Sequence, residues 1–402
     1  MQLITDEMTG YVANSSMIRK MFEAGIELQK KYGADNVYDF SLGNPDLPPP
    51  PAVKKTMLQI AETMDQPFAL GYMPNAGYPA AREALARKLS QEQGLTIPAS
   101  NVIVTCGAAG AINVFFRATL SKDDEVITPC PYFVEYDFYV GNFGGKLLRV
   151  QSDPDTFALD LAAIEQAINS KTRAMIVNTP NNPTGQIYSR ESMKKLAEIL
   201  RRKSAEYGHP IFLVSDEPYR FLNFDNVDIP SVFELYEYSV IVGSFSKSLS
   251  LAGERAGYLA VNPAMPDCST LLSACTITNR ILGYVNAPAI AQKILIDCID
   301  SQVDLDIYRR RRDLMADVLD YAGIDYAMPR GAFYFFPKSP VADEMQLVNA
   351  LFEERILVVP GSGFGMSGYV RMAFCVTESS ITGSKEGFKR AVDRVKAGLQ
   401  NK

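Results

Sequence analysis

Seven short runs of apolar and β-branched residues recur through the middle of the chain, separated by amphipathic stretches. They are Val102–Thr105, Glu125–Thr128, Lys146–Val150, Ala174–Asn178, Ile211–Ser215, Val240–Gly243 and Gly257–Val261. Several are nearly continuous in apolar residues, the pattern of a strand covered on both faces. The stretches between them have helical spacing. Ser189 is a candidate N-cap for a helix with Met193, Leu196, Ala197 and Leu200 on one face. Another helix follows Pro79, with Ala81, Leu85 and Leu89. This alternation predicts a doubly wound α/β domain over residues 49–299. Such folds bind ligands at the carboxyl ends of their strands.

The pattern changes near residue 300. A helix through Arg309-Arg310-Arg311-Arg312 precedes Phe333-Tyr334-Phe335-Phe336, and a second helix lies near Glu344–Glu354. Strands are expected at Ile356–Val359 and Tyr369–Phe374, then a last helix. These elements predict a smaller α+β domain, formed by residues 300–402 together with residues 1–48. The Pro-rich stretch Pro45 to Pro51 is the expected crossing point. The arginine run reads as a solvated helix face.

Composition narrows the chemistry. The 402 residues include a single histidine, His209, so a Ser-His-Asp triad has one candidate and a zinc site with two histidines is excluded. Net charge is −6, and no basic run is long enough to track a phosphate backbone, which argues against nucleic acid as a partner. The six cysteines form no CxxC and read as buried thiols of a reducing compartment. No signal peptide is read at the N-terminus, and no apolar run approaches the ~20 residues that span a bilayer. A cytoplasmic protein without membrane attachment is expected. Gly363-Phe364-Gly365-Met366-Ser367-Gly368 matches G-x-G-x-x-G, but the residues after it alternate like a strand. It reads as a flexible loop between strands, not a dinucleotide site.

Four segments, each just after a candidate strand, carry residues with chemistry. Ser244-Phe245-Ser246-Lys247 places an amine where burial would lower its pKa, and Arg255 follows eight residues on. A solvated lysine and a surface arginine remain open from the residues alone. Asp216-Glu217-Pro218-Tyr219 puts a carboxylate where it could hold a ring nitrogen protonated, with an Asp N-cap as the alternative. Asn178-Thr179-Pro180-Asn181-Asn182-Pro183-Thr184-Gly185 makes a rigid turn, and its composition favours a surface turn. Thr105-Cys106-Gly107-Ala108-Ala109-Gly110 opens a helix at Ala111–Thr119, where small residues let an anion approach backbone N–H groups.

The order, spacing and strand context of these segments resemble the class I/II aminotransferases, the fold-type I enzymes dependent on pyridoxal phosphate. Ser244-x-x-Lys247 with Arg255 is similar to that family's lysine motif. Asn182-Pro183-x-Gly185 and Asp216-x-x-Tyr219 resemble two further motifs. Gly43-Asn44-Pro45-Asp46, Tyr72-x-x-x-x-Gly77 with Arg82-Glu83-Ala84, and Gly363–Gly365 with Arg371 extend the likeness from about residue 16 to 375.

The resemblance implies a mostly parallel seven-stranded sheet covered by helices, a smaller α+β domain, and a homodimer with shared active sites. It implies that Lys247 bonds the cofactor covalently and moves the proton, that Asp216 pairs with the ring nitrogen, and that Tyr219 bonds the ring phenolate beside Asn182. Ser244, Ser246, Arg255, Gly107, Ala108 and Ala109 would hold the phosphate, and Tyr72 would reach the phosphate of the neighbouring subunit. Arg371 would clamp the substrate carboxylate near Gly43 and Asn182. Many relatives stack a Trp on the ring. This chain has none, so Phe133 of Pro131-Tyr132-Phe133-x-x-Tyr136 would stack there, with Tyr132 competing.

The implied reaction moves an amino group from an L-amino acid to a 2-oxo acid by a ping-pong route, with aspartate and 2-oxoglutarate favoured. Arg280 is the candidate selector for a dicarboxylate, against a surface or dimer-interface arginine. The same cofactor motifs also fit a C–S lyase or another elimination enzyme, a decarboxylase, or an aminocyclopropane-carboxylate synthase. A non-catalytic aminotransferase-like ligand-binding protein and a nicotinamide dehydrogenase are readings from other classes.

Overall fold

The structure is a computed structural model and describes residues 3–13 and 17–400. The start of the family likeness near residue 16, and Met1 and Gln2 of the N-terminus, lie outside the described residues. Strands are numbered along the chain. β1 is Tyr38–Asp39, β2 Val102–Cys106, β3 Glu125–Cys130, β4 Lys146–Gln151, β5 Thr172–Asn178 and β6 Phe212–Asp216. β7 is Ser239–Ser244, β8 Ala256–Val261, β9 Tyr334–Phe335, β10 Ile356–Leu357, β11 Val359–Pro360 and β12 Val370–Ala373.

All seven apolar runs are strands of one sheet, in the order β2-β8-β7-β6-β5-β3-β4. Only β8 runs antiparallel to its neighbours. Alternate side chains along the strands, the edge strand β4 apart, enter two separate cores. Met175 and Val177 of β5 face the core with Leu85, Leu196 and Leu295, while Ala174 and Ile176 face the core with Phe115 and Cys275. That is why the runs are apolar on both faces. Ser189 does cap its helix, Arg190–Tyr207, accepting from the Ser192 amide at 3.1 Å.

A third core joins β9, β12 and the helices Leu305–Ala322, Glu344–Glu353 and Lys385–Gln400. β1 pairs in parallel with β10, tying the N-terminal segment to this part of the chain. Three expectations need correction here. The arginine run is not one solvated face. Arg311 and Arg312 are only 5% and 7% exposed. Arg311 forks onto Asp46 at 2.6 and 2.8 Å, and Arg312 pairs with Asp225 at 3.0 Å. Helical spacing turns only Arg309 and Arg310 outward, where they meet Asp306 and Glu378. The expected strand Ile356–Val359 breaks at Val358, because its two halves pair with different strands, β1 and β12. The last helix is two, Glu378–Gly383 and Lys385–Gln400.

Gly257 of β8 sits where three backbones converge. A Cβ there would lie 2.4–2.5 Å from Gly107 backbone atoms and 2.7 Å from the Gly243 carbonyl oxygen. Gly257→Ala must push β8 off the start of the helix Gly107–Thr119. It is expected to cost about 1–3 kcal/mol, seen as a lower melting temperature and weaker anion binding at that helix start. Gly208→Ala, at φ +71° with open space around it, serves as the comparison and should cost about 1 kcal/mol without touching anion binding.

Candidate active site

The carboxyl ends of β5, β6 and β7 stand side by side, since Asn178 is in register with Asp216 and Asp216 with Val242. The chain leaves these ends to line a cavity of about 330 Å³. Lys247, Asp216, Tyr219, Asn182, Arg255, Ser244, Ser246, Ala108, Ala109, Phe133, Gly43 and Arg371 all line it. Residues from seven separate segments thus meet at one place, where the sheet topology puts ligands.

Lys247 Nζ donates to the Gly43 carbonyl at 2.6 Å. Its pKa is pushed down to about 8. Burial is the main cause, the Cys375 thiol opposes it, and the Arg371 and Arg255 guanidiniums add to it. Gly43 has no room for a side chain: a Cβ would meet the Tyr334 hydroxyl at 2.0 Å and its ring at 2.7–2.8 Å.

Asp216 closes β6 and does not cap a helix. Burial pushes its carboxyl up to about 7, against the hydrogen bond from Tyr136, while Glu217 adds to the rise. Tyr136 Oη donates to Oδ2 at 2.6 Å, and the buried Oδ1 has no partner. Glu217 turns to other groups, accepting from Ser215 at 2.7 Å and Arg220 at 3.0 Å.

Arg371, on β12, is buried between the Tyr334 and Phe364 rings, each 4.8 Å from its guanidinium carbon. It donates to Asn182 Oδ1 at 3.3 Å and to the Ser41 carbonyl, and its Nε has no partner. The hydroxyls of Tyr219 and Tyr334 lie 2.9 Å apart.

The turn Asn178–Gly185 is buried throughout, not a surface turn. Asn178 Nδ2 donates to the Asp216 carbonyl at 2.8 Å, and Asn178 Oδ1 accepts from the Asn182 amide at 2.6 Å. Its polar side chains satisfy the turn's own backbone, which makes burial affordable. The helix expected from Ala111 begins earlier, at Gly107, with Cys106 before it supplying no side-chain cap. The first N–H groups, near Ala108 and Ala109, are therefore open to an anion. Arg255 stands over them, its Nη2 2.7 Å from where a Gly107 Cβ would be.

Phe133 lines the cavity, whereas Tyr132 donates its hydroxyl to Asp137 beside Arg149. The glycine loop before β12 is firmly held: the Ser362 and Gly368 amides donate to Glu344 at 3.2 and 2.9 Å. A short 3-10 turn, Gly361–Phe364, overlaps its start, and β12 rather than an α-helix follows it. Tyr72, 93% exposed, and Arg280, also exposed, do not line the cavity. The segments that carry them touch, since Asn279 donates to the Asn75 carbonyl at 3.0 Å. The His209 ring nitrogens lie 3.1 and 3.3 Å from the Ser170 and Pro210 carbonyls, at the opposite end of β6. Sequence reasoning missed Tyr136, Tyr139, Asn178 and Tyr334 as site residues. Tyr136 carried a signal, its three-residue spacing from Phe133 on one helical turn.

Comparison with known proteins agrees with this geometry. The family model for aminotransferase class I and II matches residues 35–383. An aspartate/prephenate aminotransferase of Thermus thermophilus is 33% identical over 383 residues, 92% of this chain and 94% of its own. A probable aspartate aminotransferase of Methanocaldococcus jannaschii is 31% identical, over 85% of this chain and 90% of its own. Among solved structures, an amino transferase from Eubacterium rectale matches with a TM-score of 0.93 at 38% identity, covering 98% of this chain and 99% of that one. Aspartate aminotransferase from Thermus thermophilus with maleate matches with a TM-score of 0.86 at 28% identity, covering 97% and 100%. The chain belongs to the class I and II aminotransferase family.

Proposed function

We propose that this aminotransferase uses pyridoxal 5′-phosphate to move the amino group of an L-amino acid, aspartate foremost, to a 2-oxo acid such as 2-oxoglutarate. The observation that carries the reading is the cavity's charge pattern. A lysine amine, a carboxylate with one unpartnered oxygen and an arginine bonded only to neutral groups surround an uncapped helix start. These residues fit the cofactor. No cation among the described residues acts on Asp216, so its free Oδ1 calls for a protonated nitrogen. Arg255 and the amides of Gly107, Ala108 and Ala109, with Ser244 and Ser246, match a phosphate.

When bound, the cofactor supplies an electron sink that stabilises negative charge at the substrate Cα. Asp216 would keep that sink protonated, and Phe133, which lines the cavity, would pack against it. Tyr219 and Asn182 fix its phenolate side. Arg371 holds the substrate carboxylate bidentately near Gly43. Lys247 holds the cofactor between turnovers and, once freed, takes the proton from the substrate Cα as a neutral amine.

The relatives' names support aspartate as donor. Tyr72 and Arg280 are assigned to the partner's site in a homodimer. The exposure of Tyr72, and of Ile277 and Ile281 (each 58%) beside Arg280, supports a partner there. The six free cysteines fit the cytoplasm, and no helix among the described residues is long and apolar enough to cross a membrane. The cofactor-binding part is assigned to residues 49–299, and residues 1–48 with 300–402 to the smaller part.

The decisive experiment is the half-reaction. The yellow holoenzyme is expected to bleach with aspartate and recover with 2-oxoglutarate. Lys247→Ala should keep the cofactor yet lose this exchange by at least about 10²–10⁴-fold. Near-normal exchange by that variant, or a wild type that never bleaches with any amino acid, refutes the proposal.

Lys247 also predicts a pH profile. An amine with its pKa lowered to about 8 becomes neutral as pH rises through 8, not through about 10.4. Borohydride trapping of an aldehyde on Lys247, followed by mass spectrometry, should rise with a midpoint near 8. A midpoint near 10 would contradict the role of burial.

Arg280→Ala should raise KM for aspartate by about tenfold or more and leave alanine or aromatic donors nearly unchanged. An equal loss for all donors would remove Arg280 as selector.

A further inference from the structure

Tyr136 lies on the short helix Glu135–Gly141, distant in sequence from β6, yet its hydroxyl meets Asp216 inside the protein. It donates to Oδ2 at 2.6 Å, and Oδ1 is the only buried carboxylate oxygen among the described residues without a partner. With Oδ2 engaged, the carboxylate presents the same oxygen each time. A phenol is also a neutral donor. It offsets part of the desolvation of an anion without supplying the positive charge that a ligand must bring.

The ring that makes this bond is itself fixed. It meets Phe133 edge-on, with centroids 5.6 Å apart and planes at 88°, and the Tyr136 amide donates to the Phe133 carbonyl at 3.1 Å. One helical turn thus carries both the side chain that lines the cavity and the donor to the carboxylate. The other titratable groups facing Asp216 are Glu217, Tyr139, Tyr219 and Tyr258, none a cation at neutral pH. Tyr136 is the hydrogen-bond donor among them that favours the charged carboxylate.

We propose that Tyr136 is a positioning residue: by holding Asp216 as an oriented anion, it makes the site select a cofactor ring that presents a protonated nitrogen. This rests on the pyridoxal-phosphate reading above and assigns the selection to a residue outside the cofactor's own contacts.

The test compares two ligands on the full-length chain. They are pyridoxal 5′-phosphate and its analogue with carbon in place of the ring nitrogen, with binding read by equilibrium dialysis. The wild type is expected to prefer the nitrogen ring. Tyr136→Phe should cut that preference about tenfold to a hundredfold and leave the affinity for the carbon analogue unchanged. Tyr136→His, which keeps a donor, should retain most of the preference. A wild type without preference, an unchanged preference in Tyr136→Phe, or an equal loss for both ligands overturns the proposal. A folded Tyr136→His without preference does the same, and decides the matter should the Phe variant not fold. A wild type that binds neither ligand refutes the cofactor reading and this proposal together, whereas variants that fail on their own refute only the role of Tyr136.

Discussion

Asp216 and Arg371, buried, and Lys247, half-buried, are ionisable groups around one cavity, and all are bonded to neutral groups: a carbonyl, a phenol, a carbonyl and an amide oxygen. Burying a charge without an opposite partner is expensive, and a fold keeps such groups only where the rest of it holds them in place. Here the sheet supplies that hold. Asp216 ends β6, Lys247 follows β7 and Arg371 lies on β12, so each backbone is fixed before its side chain is considered. The burial moves the Lys247 amine and the Asp216 carboxyl toward neutral pH from opposite directions. Groups poised there are what proton transfer at a substrate carbon requires.

The segment from Ser41 to Asp46 is gathered by two of these residues and by one cation of the helix Leu305–Ala322. Arg371 donates to the Ser41 carbonyl, Lys247 to the Gly43 carbonyl, and Arg311 forks onto Asp46. Within six residues, three cations from distant parts of the chain converge on one strand of backbone. Two of them line the cavity, so the path of this segment and the shape of the site are set by the same contacts.

Much of this was legible in the chain. Strands buried on both faces leave nearly continuous apolar runs, which made six of the seven readable, whereas the edge strand β4 buries only Val150. Lys247, Asp216, Asn182 and Arg255 stood out because each follows a strand in a recognisable spacing. What escaped reading depends on contacts across long stretches of sequence. Nothing local marks Arg311 as the partner of Asp46, 265 residues away, so its burial looked like a solvated face. The turn at Asn178–Gly185 has a surface composition and is buried because its own asparagines satisfy its backbone. The roles of Tyr136 and Tyr334 were not legible, since only the fold decides which polar atom a phenol meets.

The close approach at Gly43 reaches beyond this chain. The space that a side chain at 43 would occupy is filled by the Tyr334 ring and hydroxyl. Tyr334 in turn stacks on Arg371 and meets Tyr219. Positions 43 and 334, nearly three hundred residues apart, therefore share one volume. A descendant that gains a side chain at 43 cannot keep an aromatic ring at 334 in this pose, so the two positions are bound to drift as a pair.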